Sequence, residues 1–176
     1  AFNLKEGDQI KANSIILSLN SPVIDDLTTN LHLTSLDAED FSREAVDCFI
    51  EASYTGEIEA VNVSNFRDVN KMSRVFDVSW LVARCLEYFV SYLGKLDSES
   101  SYSDLLFAVE EAVYLVSAVK DRDFLKLVIE KMSSISDVSR NSFIKRYLCD
   151  LEQSSKQKMD ACIAIVKLDV HVIIEL

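Results

Sequence analysis

Residues 49–58, FIEASYTGEI, predict a helix end, a sharp turn and the start of a strand in immediate succession. In the run from Phe41, apolar residues recur at i, i+3, i+4 and i+7, which places them on one helix face. They are Ala45, Cys48, Phe49 and Ala52. Gly56 follows the last periodic residue and can adopt the left-handed conformation that ends a helix. Tyr54 then lies in the last turn, where its ring can pack inward while its hydroxyl reaches a polar partner or water.

The residues before this segment predict a small sheet and two short helices. Residues 1–12 are typical of a β-hairpin, because alternating segments flank the turn sequence Glu-Gly-Asp. Asn13 or Ser14 can cap a short helix that extends through Leu19. Pro22 is tolerated in the first turn of the next helix. Residues 32–36 predict a strand of a half-buried sheet.

From Asn62 onward the pattern is helical almost without interruption. Two helix faces are predicted, the first with Phe66, Val69, Ser73 and Phe76, the second with Leu81, Cys85, Tyr88, Phe89 and Tyr92. Gly94 is predicted to end the second helix. Residues 96–103, LDSESSYS, are the most polar stretch and predict a domain boundary. We therefore divide the chain into domains of residues 1–96 and 97–176.

The second domain is predicted to be helical. Residues 105–119 and 124–132 each place apolar residues on one side, and residues 120–123 predict the tight connection of an antiparallel helix pair. A polar linker at 133–142 and a short helix at 143–151 follow. In residues 159–176 helical spacing gives way to strict alternation, so either a helix followed by a strand or one covered helix fits. The predicted fold class is α+β, mainly α.

Composition narrows the class of partner. The 176 residues are 49% hydrophobic and carry a formal net charge of -11, so a sizeable core is expected and phosphate-rich partners are disfavoured. We predict protein partners and neither nucleic acid nor membrane. The four cysteines form no CxxC pair and predict reduced thiols in an intracellular protein, cytoplasmic or nuclear. Because the chain starts at Ala1 and not at methionine, we expect an excised fragment that lacks part of its N-terminal domain.

No catalytic constellation emerges from the sequence. His32 and His171 have no cysteine or second histidine at ligand spacing, and the three glycines stand apart. Glu110-Glu111 is interpreted as a solvated helix face, and Trp80 as a core residue at a helix start. We predict no catalytic, cofactor-binding or metal-binding residue, no cofactor, and no enzymatic activity.

Three segments resemble the BTB/POZ domain and follow one another in the order typical of that family. The first is the strand-then-helix segment IKANSIILSLNSPVI at 10–24, the second is FIEASYTGEI at 49–58, and the third is the helical run at 62–89. Asn13 stands where the family usually has histidine. The resemblance implies a small sheet flanked by helices, and the helices after it resemble the BACK extension of BTB-containing adaptors, here an all-α helical hairpin.

This resemblance implies a protein–protein interaction module with two competing uses. One is a substrate adaptor of a cullin-3-type E3 ubiquitin ligase, whose partner would be the cullin scaffold. The alternative is self-association into a homodimer or a scaffold role, without a ligase. The cullin-like face would comprise Asp26, Leu27, Thr29, Leu31, Tyr54 and Tyr102. Many cullin-binding members carry a hydrophobic residue and then, after one further residue, a glutamate. Leu27 offers the first of these, but Thr29 replaces the acid.

Overall fold

The computed structural model describes residues 1–119 and 123–135. The chain divides into two compact units, the first comprising residues 1–88 and the second starting at Phe89. The domain boundary expected between Leu96 and Asp97 stays a prediction. The helix at 143–151, the tail at 159–176 and most of the connection at 120–123 lie outside the described residues.

The described elements are mainly helical, which confirms the predicted α+β class. The strands are β1 (Phe2–Asn3), β2 (Gln9–Ile10) and β3 (Leu36–Asp37). The helices are α1 (Ser14–Asn20), α2 (Pro22–Thr29), α3 (Arg43–Thr55), α4 (Phe66–Val75), α5 (Ser79–Lys95), α6 (Tyr102–Val119) and α7 (Asp123–Ser134), with a 3-10 turn at Lys5–Gly7. Within residues 1–119 and 123–135, no helix is both long and apolar enough to cross a membrane.

The sheet has the strand order β2-β1-β3. β1 pairs with β2 in antiparallel register, with Phe2 opposite Ile10, so the predicted hairpin is confirmed. β1 also pairs with β3 in parallel register, with Phe2 opposite Leu36. Phe2 is buried, and its ring lies 6.2 Å from that of Phe49 and 5.8 Å from that of Phe76, between centroids. Aromatic packing therefore joins the sheet to α3 and to the end of α4.

The prediction of a strand over 32–36 is wrong for most of its length. β3 begins only at Leu36, because the chain after α2 turns through His32, whose φ is 53°. The amide of Leu33 donates to the carbonyl of Leu27 at 3.0 Å, which is in α2 and not in a strand. A backbone N–H that is already paired to a helix carbonyl cannot join a sheet ladder.

The strand start expected after Gly56 is also wrong. Residues 57–61 form no strand, and residues 58–61 form a turn closed by a hydrogen bond from Val61 N to Ile58 O at 2.9 Å. The buried side chain of Asn65 satisfies the following backbone groups: its Nδ2 donates to the carbonyl of Ala60 at 2.9 Å, and its Oδ1 accepts from the amide of Asn62 at 2.9 Å. Side-chain amides thus replace the partner strand.

The predicted capping residues mark two helix ends correctly and one wrongly. Asn13 Oδ1 accepts from Ile15 N at 3.0 Å and caps α1, and Gly56 ends α3 with φ 77° while its N–H donates to Ala52 O at 2.8 Å. All four predicted apolar positions of α3 are buried. Gly94, in contrast, lies within α5, which continues to Lys95, so its predicted role as a helix end is wrong.

In the second unit α6 packs against α7. The apolar positions Leu105, Val109 and Ala112 of α6 and Val128 of α7 are buried, as the helical spacing predicts. Glu111 is buried as well. The interpretation of Glu110-Glu111 as a solvated face is therefore wrong for Glu111, since its neighbours at 108, 112 and 115 turn that side of α6 inward.

We expect Gly56→Ala to lower the free energy of unfolding by about 1 kcal/mol, because an alanine Cβ is strained at positive φ. Gly94→Ala is the matched control: no atom lies within 4 Å of a Cβ built there, and its backbone is helical. The control should be neutral or stabilising by about 0.5 kcal/mol. Urea denaturation of both variants measures the difference, and equal effects would contradict the assigned cap.

Candidate protein-interaction face

The second half of α2 presents two parallel acid–donor pairs. Thr29 Oγ1 donates to Asp25 Oδ1 at 3.2 Å, and Asn30 Nδ2 donates to Asp26 Oδ1 at 2.6 Å. Both carboxylates and Thr29 are exposed, while Leu27 is half-buried. The position that lacks the expected acid therefore has the carboxylate of Asp25 one helical turn away, within hydrogen-bond distance.

An exposed apolar segment follows α2. Leu31 is 59% exposed and Leu33 is 44% exposed. Their backbone is held against the helix end, because the amide of Leu31 donates to Asp26 O at 3.3 Å and that of Leu33 donates to Leu27 O at 3.0 Å. Two leucines on anchored backbone are presented to solvent at low conformational-entropy cost.

A groove of about 450 Å³ adjoins this segment. It lies between β1, the first two helices and the chain leading to β3, and Phe2, Leu17, Ile24, Leu33 and Leu36 are among its lining residues. Leu33 therefore borders a concave surface as well as the exposed end of α2. This surface is partly polar, because Thr28, His32 and Thr34 also line it.

Tyr54 lies in the last turn of α3 but does not pack fully inward. Its side chain is 44% exposed, and its hydroxyl accepts a hydrogen bond from the amide of Asn13. The hydroxyl has the polar partner that the sequence predicts. The prediction that the ring packs inward is wrong, because the residue remains 44% exposed. Because Asn13 also caps α1, this bond fixes the end of α3 to the start of α1.

α1 packs against both α2 and α3 and exposes two large apolar side chains. Ile15 is 70% exposed and Leu19 is 82% exposed, at i and i+4 on one face. Sequence reasoning missed them as surface residues. The signal was present: a seven-residue helix with apolar residues at 15, 16, 17 and 19 has more apolar positions than one buried face can hold.

Asn20 fixes the end of α1. Its Nδ2 donates to the carbonyl of Ser53 at 3.0 Å, and its Oδ1 accepts from Trp80 Nε1 at 3.1 Å. Trp80 is half-buried at the start of α5, as predicted for its position at a helix start, but it is not one of the buried core residues. α1 is thereby tied to α3 at one side and to the start of α5 at the other.

The structure brings together four of the six predicted face residues. Asp26, Leu27 and Thr29 lie on α2, and Leu31 follows it directly. Tyr54 lies at the other side of α1, bonded to its cap. Tyr102, the first residue of α6, is half-buried and belongs to the second unit.

The described residues offer little reactive chemistry. Cys48 and Cys85 are free, buried thiols. Burial raises the pKa of Cys48 to about 11, with a further rise from Glu51, and burial raises the pKa of Cys85 to about 12. The thiols therefore stay protonated near neutral pH and are poor nucleophiles. Within the ranges that the structure covers, no group of three or more His, Cys, Asp or Glu side chains is placed to hold a metal ion.

The structure thus combines a small sheet flanked by helices with leucines exposed on anchored backbone. Residues 1–93 match the family model for the BTB/POZ domain, and the chain belongs to that family. Membership of this family supports a role as a protein–protein interaction module. BTB domains are generally interaction modules and not enzymes, and some self-associate. Comparison with curated proteins gives no match.

We expect Cys48 and Cys85 to resist iodoacetamide in the native protein at about pH 8, because at pKa values of about 11 and about 12 no more than about one thiol in a thousand is ionised there. Both should react within minutes after unfolding in urea. Peptide mass spectrometry distinguishes them from Cys149 and Cys162. Rapid native labelling of either residue would contradict its assignment as a buried thiol.

Proposed function

We propose that the chain is the substrate-adaptor component of a cullin-3-type E3 ubiquitin ligase. The cullin would bind Asp26, Leu27, Thr29, Leu31 and Tyr54 of the first unit and Tyr102 of the second. The observation that carries this proposal is the exposure of Leu31 on backbone anchored to the end of α2. An exposed leucine gains about 1.5–3 kcal/mol when a partner buries it, which makes it a suitable anchor.

The acid that Thr29 lacks has a substitute in this arrangement. The carboxylate of Asp25 accepts the Thr29 hydroxyl at 3.2 Å and remains exposed. A basic group on the partner could therefore meet a negative charge beside Thr29, one turn from the usual position. Leu27 contributes less, since it is already half-buried in the free chain.

In this proposal residues 97–176 form a BACK-like extension. The packing of α6 against α7 supports the helical hairpin that such an extension requires. Adaptors of this kind work by binding and not by catalysis, so we propose no enzymatic activity and no cofactor or metal. The net charge of -11 favours basic protein surfaces over nucleic acid or anionic membrane. We also propose an intracellular location, cytoplasmic or nuclear, which the free thiols of Cys48 and Cys85 support.

Self-association without a ligase role is the second candidate function. The observation that supports it is an apolar surface on α1. Ile15 and Leu19 form an exposed apolar pair on a helix whose two ends are fixed by hydrogen bonds to α3 and α5. An isologous contact between two copies would bury both pairs at once. The two candidates use different side chains, so single substitutions separate them.

For the adaptor role, we expect calorimetric titration with the N-terminal domain of cullin-3 to show binding that Leu31→Asp weakens at least tenfold, because a charge would replace the apolar anchor. Val63→Asp is the matched control, an equally drastic change at an exposed valine in the loop before α4, and should alter affinity less than threefold. Absence of binding, or equal losses in both variants, would overturn the adaptor proposal.

For self-association, we expect sedimentation equilibrium to show a dimer that Leu19→Asp dissociates, since two buried charges would face each other across the contact. Val63→Asp and Leu31→Asp should both leave the dimer intact. A chain that stays monomeric at the highest concentration reached would exclude this role, as would a dimer that survives Leu19→Asp.

A further inference from the structure

The segment before α6 contains four serines and three carboxylates within nine residues, LDSESSYSD at 96–104. The serine side chains at 98, 101 and 103 belong to exposed residues, and Ser100 is half-buried. Only Ser101 has a carboxylate three residues further on, that of Asp104. Ser98, Ser100 and Ser103 are followed at that distance by serine, serine and leucine. The four serines therefore differ in their charge context.

Ser101 and Asp104 are joined in the structure. Ser101 Oγ donates to Asp104 Oδ2 at 2.6 Å, and the amide of Ser101 donates to the same oxygen at 3.0 Å. In return Ser101 Oγ accepts from the amide of Asp104 at 3.3 Å. This is a reciprocal capping arrangement at the start of α6, with aspartate in place of the usual glutamate.

The other oxygen of Asp104 extends the link to α5. Asp104 Oδ1 accepts from the hydroxyl of Tyr92 at 2.8 Å, and the ring of Tyr92 packs edge-on against Phe107 with centroids 4.9 Å apart. The hydrogen bonds from Ser101 and then Tyr92 lower the pKa of the Asp104 carboxyl. One carboxylate thus connects the serine of the polar segment to the packing of α5 on α6 within the second unit.

We propose that Ser101 is a phosphorylation site for an acid-directed serine kinase, and that the phosphate disrupts the Ser101–Asp104–Tyr92 chain of hydrogen bonds. The kinase transfers the γ-phosphoryl group of ATP: the bond to ADP breaks, a new P–O bond forms at Ser101 Oγ, and the hydroxyl proton leaves to the kinase base. Such kinases discriminate substrates by the charges that follow the acceptor serine.

Phosphorylation of Ser101 would change both its charge and its capacity to donate hydrogen bonds. The phosphoester has no O–H to donate to Asp104, and it places a charge of about -1.5 to -2 where a neutral donor was 2.6 Å from that carboxylate. Repulsion moves Asp104 away, and the phosphate oxygens take over the amides at the start of α6. Asp104 then loses the contacts that held it between Ser101 and Tyr92.

The first test treats the full chain with casein kinase 2 and ATP and maps the phosphate by peptide fragmentation. We expect incorporation at Ser101, abolished by Ser101→Ala, retained in Ser101→Thr and slowed at least tenfold by Asp104→Asn. Ser98→Ala is the matched control, at another exposed serine of the same segment, and should change the rate less than twofold. A phosphate mapped to Ser98, Ser100 or Ser103, or no incorporation into a folded chain, would overturn the proposal.

The second test addresses the structural consequence. Carboxyl ¹³C NMR should show a higher pKa for Asp104 in the phosphorylated protein than in the unmodified one, because its hydroxyl donor is replaced by an anion. The Ser101→Ala variant, treated with the kinase in the same way, serves as the control and should show no change. A pKa of Asp104 that is unchanged or lower after phosphorylation would show that the hydrogen-bond chain survives and would refute the proposed effect.

Discussion

The first unit depends on the buried hydroxyl of Ser21. Ser21 Oγ accepts from the amide of Ile24 at 3.0 Å, which caps α2, and donates to the carbonyl of Phe76 at the end of α4. A buried hydroxyl without partners would cost about 1–3 kcal/mol, so both bonds constrain the fold. Pro22 follows with a fixed φ and no N–H to satisfy. The corner between α1 and α2 is thereby fixed against the end of α4.

The positions of the exposed leucines on α1 and after α2 depend on that corner. With the end of α1 held by Ser21 and Asn20, only one side of this short helix can face the core, and Leu17 takes it. Leu19 is left in solvent. The same corner sets the direction of α2, and Leu31 is exposed directly after the end of that helix. The two candidate contact surfaces are thus consequences of one buried hydrogen-bonded junction and of the shortness of the helices that it joins.

Prediction from the sequence succeeded where the physical cause is local. The caps at Asn13 and Gly56 depend on side chains and φ angles within one turn, and the buried face of α3 depends on 3.6-residue spacing. It failed at residues 32–35 and 57–61, because a strand exists only if a second strand is free to pair with it. There a helix carbonyl and the amide of Asn65 are the partners instead. The predicted face came from the resemblance to the BTB/POZ domain, and its grouping on α2 follows because three of its residues are neighbours in the chain. The surplus of apolar residues in α1 indicated an exposed side chain but did not specify which one.

The sequence by itself determined the family, the helix caps, the hairpin and most of the buried helix faces. These features depend on residues that are neighbours in the chain, so a pattern of a few residues is sufficient to specify them. Only the tertiary structure decided that Gly94 lies inside α5, that Glu111 is buried and that Leu19 is exposed. Each of these depends on which distant residues pack against a helix, and no local pattern contains that information.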